Sequence, residues 1–294
     1  MDTLIFCLLA IALVTSPFQE TEKAQSKDVE KTPSAKKIID KYVLALGGYE
    51  ELESRTSIHW RANGKTSDGE TFVFEAWQGA GKYACRFERS NGTFYTRGVW
   101  SDGSLDENKQ RTGFAWEESN GSVVEKTDEE LQEYLRRRTY VTSAPTWLRD
   151  CKSVKCIGVE LVHDKKAYRV EMIDHNDTLI DLFFDAESGL LLRRVCIEAF
   201  GGTTQEVIRD RFNYKKIGNT MVPMKETISW RNSVYVYENE FFKVNEKLAK
   251  GTFGVPAMIQ KKIDALQNSR QPSTVTSTSK DDPKSDSKKD APKK

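Results

Sequence analysis

Hydrophobic and polar positions alternate through two stretches in the first half of the chain, residues 71–77 and 94–100. Such alternation is typical of β-strands, because successive side chains point to opposite faces of a sheet. In both stretches aromatic side chains fall on both sets of positions. In a sheet with one solvated face the outward positions would be mostly polar, so we expect a helix or a ligand to cover the second face.

Five Asn-Gly or Asp-Gly dipeptides punctuate the same part of the sequence. Both central residues of a type I′ turn need positive φ, which Asn, Asp and Gly tolerate, so each dipeptide predicts a β-hairpin. The five are Asn63-Gly64, Asp68-Gly69, Asn91-Gly92, Asp102-Gly103 and Asn120-Gly121. Together they predict an antiparallel meander.

Strand patterns continue in the second half of the chain, where short polar turns separate them. With a first strand near Ile58 and a short one at residues 114–116, they give about ten or eleven strands. The later strands are expected at residues 157–162, 167–173, 179–184, 190–197, 206–214, 222–230 and 234–244. The predicted class is therefore α+β, mainly antiparallel β.

A helix is predicted before the first strand. Thr32 serves as its N-cap and Pro33 as its first residue, where a missing N–H is harmless. Apolar residues then recur at helical spacing until Gly47-Gly48 ends the helix, and residues 49–52 add one further turn.

Two more helices are expected later in the chain. A capping box at residues 127–130 opens one that interrupts the meander and carries only a narrow apolar stripe, so it is a candidate lid. The lid side chains would be Leu131, Tyr134 and Leu135. A last amphipathic stretch spans residues 259–266.

The two ends of the chain differ from its middle. Residues 4–14 form an unbroken apolar run, too short to span a bilayer but normal for the core of a signal peptide. We expect a signal peptide at residues 1–16, with an uncleaved membrane anchor as the alternative. A polar linker follows at residues 17–31, one domain at 32–268, and a disordered Lys/Ser/Asp/Pro tail at 269–294. Export to the periplasm or the extracellular space follows from the signal peptide.

Charge and cysteine content exclude several functions. The whole chain has a formal net charge of +1, with no basic face that would bind nucleic acid. Four cysteines follow the signal segment. Cys151 and Cys156 are the nearest pair, and their spacing matches neither redox nor zinc motifs, so a disulfide or two buried thiols is favoured over a metal site.

Catalytic motifs are missing from the sequence. It has no nucleophile-elbow pattern, no His-Glu-x-x-His and no phosphate-binding glycine loop. The three histidines are His59, His163 and His175, and His59, next to Trp60 on a strand, is interpreted as structural. We therefore expect no enzyme, no catalytic residue, no metal and no cofactor.

Three segments in this order resemble the outer-membrane lipoprotein-sorting-like proteins of the LolA/LolB-like superfamily. They are a helix ending in residues 45–52 (ALGGYEEL), a hairpin at 184–191 (FDAESGLL) and the segment 214–223 (YKKIGNTMVP). The resemblance covers residues 32–245. It implies a strongly curved, unclosed β-barrel whose helices cover the concave side around an apolar cavity for acyl chains.

The implied ligands are lipids or the acyl chains of lipoproteins, bound by a monomer that also has an envelope protein as a partner. The apolar cavity would be lined by aromatic side chains, although core packing explains any one of them equally well. The candidates are Trp60, Phe72, Phe74, Phe94, Trp100, Phe114 and Trp116. The expected function is lipid binding in the cell envelope, with lipoprotein sorting as its purpose. The alternative is a periplasmic ligand-sensing or protein-interaction module without carrier activity, and a secreted hydrolase is least favoured.

Overall fold

The computed structural model describes residues 32–105, 111–127, 131, 135, 151–174, 177–200 and 203–270. The predicted signal peptide and linker, and the tail from residue 271, lie outside the described residues. Three helices have defined bounds within them: α1 (Ala35–Ala45), α2 (Tyr49–Glu53) and α3 (Ala257–Ser269). None of the described helices is long and apolar enough to cross a membrane.

The start of α1 differs from the prediction. Ser34, not Thr32, is its N-cap, and the Ser34 hydroxyl accepts a hydrogen bond from the backbone N–H of Lys37. The helix therefore begins two residues later than expected. Its predicted end is confirmed, because Gly47 and Gly48 both have positive φ and lead directly into α2.

Thirteen strands in the described residues form one antiparallel sheet. Two of them, β3 and β6, go beyond the predicted set. The strands are β1 (Ser57–Thr66), β2 (Thr71–Gly79), β3 (Lys82–Arg89), β4 (Phe94–Leu105), β5 (Arg111–Ser119), β6 (Ser122–Lys126), β7 (Cys151–Val162), β8 (Lys165–Asp174), β9 (Leu179–Asp185), β10 (Leu191–Phe200), β11 (Thr203–Ile217), β12 (Thr220–Trp230) and β13 (Ser233–Val244).

The sheet consists of two meanders joined at its centre. Strands β1 to β6 run outward to one edge, β7 forms the opposite edge, and β8 to β13 return until β13 pairs with β1. The edge strands β6 and β7 are not hydrogen-bonded to each other, so the barrel is unclosed. The predicted class, α+β with a curved, unclosed antiparallel barrel, is confirmed.

Three of the five turn dipeptides lie in hairpin turns, and two do not. Asn120 and Gly121 have φ of 50° and 76°, as a type I′ turn requires, between β5 and β6. Asp68-Gly69 and Asn91-Gly92 also connect strands. The predictions at Asn63-Gly64 and Asp102-Gly103 are wrong, because the first lies within β1 and the second within β4 beside a register shift.

Helices pack on both faces of the sheet. On the inner face, which we define as the face covered by α1, Ile39 and Val43 of α1 are fully buried against Leu182 and Phe184 of β9. On the outer face, Ile259 and Ile263 of α3 pack on Trp100 and Trp116. Burial of apolar surface therefore holds helices to both sides of the same sheet.

Candidate functional site

The strand register assigns each aromatic candidate to a face. Opposed residues in an antiparallel ladder share a face, and neighbours along a strand alternate. Trp60 pairs with Ala76, and Phe72 and Phe74 lie four and two residues before Ala76 on β2. Ala76 packs with Leu135, Trp60 and Phe74 in one apolar cluster. Trp60, Phe72 and Phe74 therefore lie together on the inner face.

The other four candidates lie on the outer face, so the expectation that all seven line one cavity is wrong. Val99 packs with the inner cluster, which places its neighbour Trp100 on the opposite side. Trp100 and Trp116 are buried beneath α3, with Phe114 packed beside them. Phe94 is 36% exposed and has the Arg86 guanidinium 4.8 Å from its ring centroid.

The reason for this error is that alternation does not reveal which set of positions faces inward. The sequence indicated that a helix or a ligand covers the second aromatic face. On β4 and β5 that cover is α3, whose apolar positions Ile259 and Ile263 contact the two tryptophans. Trp100, Phe114 and Trp116 thus belong to the hydrophobic core, whereas Phe94 is exposed.

The candidate lid is only partly described. Leu131 and Leu135 are both helical, and Leu135 is fully buried against Val99 and Ala115 of the inner cluster. Tyr134 lies outside the described residues. The proposal that these residues form a movable lid stays a prediction.

Of the two alternatives left open for Cys151 and Cys156, a disulfide or two buried thiols, the structure contradicts the disulfide. Both lie on the single strand β7. Five residues of extended chain separate them by about 15 Å, whereas a disulfide needs Cα atoms within roughly 7 Å. Both side chains instead pack against the inner core beneath α1.

A continuous row of aromatic side chains crosses the inner face, and we call it the aromatic row. Its members form a connected set of ring contacts across six neighbouring strands, from β12 to β4. The ring-centroid distances are 5.1 Å for Trp230–Tyr235, 6.1 Å for Tyr235–Phe72, 5.1 Å for Phe72–Tyr237, 5.7 Å for Tyr237–Phe74, 6.0 Å for Phe74–Trp60, 4.3 Å for Phe72–Phe87 and 5.0 Å for Phe87–Tyr95.

Several members of the aromatic row are only partly buried, and they present ring surface on the inner side of the sheet. These are Trp60, Phe74, Tyr95, Trp230, Tyr235 and Tyr237. Sequence reasoning found three members of the row and missed the others. The alternation of Tyr83, Cys85 and Phe87 in β3, and of Tyr235 and Tyr237 in β13, was the available signal.

A cluster of five charged side chains lies beside the aromatic row, and we call it the charged cluster. It contains Arg194 and Glu198 of β10, Arg209 and Arg211 of β11, and Glu226 of β12. Glu198 is only 3% exposed, and its carboxylate forms ion pairs with Arg194 and Arg209 at 3.3 Å each. The Cys196 thiol lies 3.2 Å from the Oε1 atom of Glu198. The carboxylate of Glu226 forms ion pairs with Arg211 at 3.3 Å and with Arg209 at 3.7 Å.

Two tyrosines connect the charged cluster to its surroundings. Arg211 donates a hydrogen bond from Nη1 to the Tyr42 hydroxyl of α1 at 3.4 Å. Tyr237, the register partner of Glu226, belongs to the aromatic row. Burial raises the pKa of Tyr237, and Tyr95 adds to the effect while Arg209 opposes it. Tyr237 therefore stays a neutral phenol at physiological pH.

His59 and His163 make side-chain contacts on the outer face, and His175 lies outside the described residues. His59 has Nε2 2.8 Å from Glu75 and Nδ1 2.6 Å from Glu246, and its ring contacts those of Trp77 and Phe241. His163 lies 3.3 Å from Asp210 on the same face. Within the described part of the chain, no group of three His, Cys, Asp or Glu side chains has the arrangement of a metal site.

Two clefts flank the N-terminal half of α1. One, of about 230 Å³, is lined by residues that include Lys37, Lys41 and Tyr168. The other, of about 460 Å³, lies between Ser34 and Cys156. Neither cleft is lined by a member of the aromatic row.

Fold and inner face together describe an unclosed antiparallel barrel with aromatic side chains on its inner face, the architecture that the sequence resemblance implied. A solved DUF1329 family protein from Desulfovibrio piger is similar at a TM-score of 0.51 and 12% identity, covering 77% of this chain and 99% of its own. This likeness shows the fold alone.

Two further solved structures are similar at lower scores. A LolA superfamily protein from Nitrosomonas europaea has a TM-score of 0.46 and 10% identity, and covers 75% of this chain and 97% of its own. A domain from Vibrio parahaemolyticus named for outer membrane lipoprotein sorting has a TM-score of 0.44 and 10% identity, and covers 69% and 93%. No family model matches the sequence, and no curated protein gives a significant match.

Proposed function

We propose that the protein binds lipids or the acyl chains of lipoproteins on the inner face of its barrel, after export to the cell envelope. The observation that carries the proposal is the aromatic row, a chain of ring contacts that presents partly buried apolar surface on the inner face. The names of the similar structures, one of which refers to lipoprotein sorting, agree with it. The apolar run at residues 4–14 supports export.

An acyl chain suits this surface for a simple energetic reason. Each methylene removed from water contributes about 0.8 kcal/mol, so a sixteen-carbon chain contributes roughly 12 kcal/mol when fully buried. A protein cannot release such a ligand into water at a useful rate. Transfer must therefore run to another apolar site, as it does between a carrier and a membrane or an acceptor protein.

The direct test is purification without detergent, followed by solvent extraction and mass spectrometry of the extract. Wild-type protein is expected to carry lipid. Phe74→Glu places a carboxylate in the aromatic row and should empty the protein. Phe94→Glu is the matched control, because Phe94 is the exposed aromatic of the outer face. If wild type carries no lipid and binds no added fatty-acyl probe, the proposed function is wrong.

Protein binding along β7 is a second candidate function. Val159 and Leu161 of this edge strand are 51% and 73% exposed, and no strand pairs beyond β7 in the described residues. Exposed apolar edge strands accept a strand from another chain. An envelope protein retained by wild type should be lost with Leu161→Lys and kept with Phe74→Glu. Equal retention by the Leu161→Lys variant would exclude this surface.

A further inference from the structure

Two arginines of the outer face make closer ion pairs than the arginines of the charged cluster. On the outer face, Arg193 donates two hydrogen bonds to Asp210, of 2.6 and 3.0 Å. Arg169 likewise donates two hydrogen bonds of 3.0 Å to Asp181. In the charged cluster, Arg209 contacts Glu198 at 3.3 Å and Glu226 at 3.7 Å. A guanidinium has five N–H donors and prefers two-pronged contact with an oxyanion. The guanidinium of Arg209 therefore keeps donor capacity that Glu198 and Glu226 do not use.

Three guanidinium groups of the charged cluster contact its two carboxylates, Glu198 and Glu226. Arg209 is the least satisfied member: its Nε–H is buried and has no hydrogen-bond partner, and its nearest contact to Glu226 is 3.7 Å. A buried donor without an acceptor is costly, so an oxyanion that completes the hydrogen bonds of Arg209 is favoured.

Arg209 is also next to the surface proposed to hold the acyl chain. Arg209 of β11 pairs in register with Ile228 of β12. Two residues before Ile228 on the same strand is Glu226, which pairs with Tyr237 of β13. Tyr237 contacts Phe72 and Phe74 of the aromatic row. One amphiphile can thus place its head at Arg209 and its chain along the rings.

We propose that the ligand is an anionic amphiphile, and that Arg209 binds its carboxylate or phosphate head while the aromatic row holds its chain. This inference rests on the proposed function and specifies its ligand class. The guanidinium fork recognises two oxygens of either anion, so the head groups of a free fatty acid and of an acidic lipid share the same chemistry.

Twelve-carbon ligands that differ only in the head provide the test: dodecanoate, dodecyl phosphate and dodecanol. The dissociation constant of each is measured by calorimetry for wild type, Arg209→Gln and the outer-face control Arg169→Gln. Wild type and the control should bind at least one of the two anions about tenfold tighter than the alcohol, and the tighter anion identifies the head. Arg209→Gln should bind all three with the affinity of the alcohol.

The outcomes separate this inference from the proposed function. If wild type binds the alcohol as tightly as both anions, the head-group inference is wrong while lipid binding stands. If none of the three ligands binds and detergent-free protein contains no lipid, the proposed function fails as well. If Arg209→Gln does not fold, the comparison of the two anions with the alcohol on the wild-type protein still tests the preference for an anionic head.

Discussion

The ring of Phe72 in β2 lies over Gly64 in β1, so closely that a Cβ at position 64 would be 2.1 Å from the ring. The two residues are register partners across the antiparallel pair. Phe72 is also the member of the aromatic row that contacts both Tyr235 and Tyr237 of β13. Glycine is therefore required at position 64, because the Phe72 ring occupies the space that any side chain there would need.

Gly64→Ala is expected to destabilise the protein by about 1–3 kcal/mol, because the Phe72 ring must move to admit the methyl group. The measurement is the free energy of unfolding from urea titration. Gly158→Ala is the matched control, since Gly158 also lies in a strand and a Cβ there meets no atom within 4 Å. Equal effects of the two substitutions would contradict the account of Gly64.

The Asn63-Gly64 dipeptide illustrates what the sequence predicts and what it does not. Alternation located strands well: residues 222–230 and 234–244 were expected, and the structure has β12 (Thr220–Trp230) and β13 (Ser233–Val244). A dipeptide that fits a turn also fits a close ring approach within a strand. Local patterns do not distinguish the two, because the difference is set by the residue on the next strand.

The candidate site was predictable only in part for the same reason. Trp60, Phe72 and Phe74 were found from their own strands. Predicting the charged cluster requires the strand registers of β10, β11 and β12, because Glu198 and its partner Arg209 are eleven residues apart in the sequence. Tertiary pairing of this kind leaves no local signal.

Ile259→Ala in α3 is expected to cost about 2–5 kcal/mol, because the side chain is fully buried against the outer-face tryptophans. Met258→Ala, which removes a side chain that is 47% exposed, should change stability by less than about 0.5 kcal/mol. The urea midpoint of each variant checks this. A small loss with Ile259→Ala would mean that α3 does not pack on Trp100 and Trp116.

Asp185 should make stability depend on pH in the acid range. Burial raises the pKa of Asp185, but hydrogen bonds from the backbone N–H groups of Ser188 and Glu187 and the ammonium of Lys165 outweigh it, so the pKa lies below 3.8. A carboxyl whose pKa is lowered in the folded state stabilises the protein at pH values above its unfolded-state pKa of about 3.9. This stabilisation is lost as the pH falls through the folded-state pKa.

Asp185→Asn is therefore expected to cost about 1–2 kcal/mol at pH 7, and its difference from wild type should shrink as the pH falls below about 4. Thermal melts across pH 2–7 provide the measurement. Glu187→Gln, which changes an exposed side chain in the same turn, is the control. A difference that stays constant with pH would contradict this role of Asp185.

Cys151 and Cys156 are expected not to be joined to each other by a disulfide. Alkylation of the unfolded protein without a reducing agent should modify both cysteines, and a peptide map should locate the two labels. The physical reason is their separation along β7. Recovery of a peptide with the two sulfurs joined would show that this strand is not extended as described.

The central claim is that an acyl chain lies on the inner face of the barrel. Photo-crosslinking with a dodecanoate that carries a diazirine at its chain end, followed by peptide mapping, tests it most directly. The account predicts labels on the aromatic row, at Trp60, Phe74 or Tyr237, and none on Trp100 or Trp116. Labelling confined to the outer-face aromatics, or no specific labelling at saturating ligand, would contradict it.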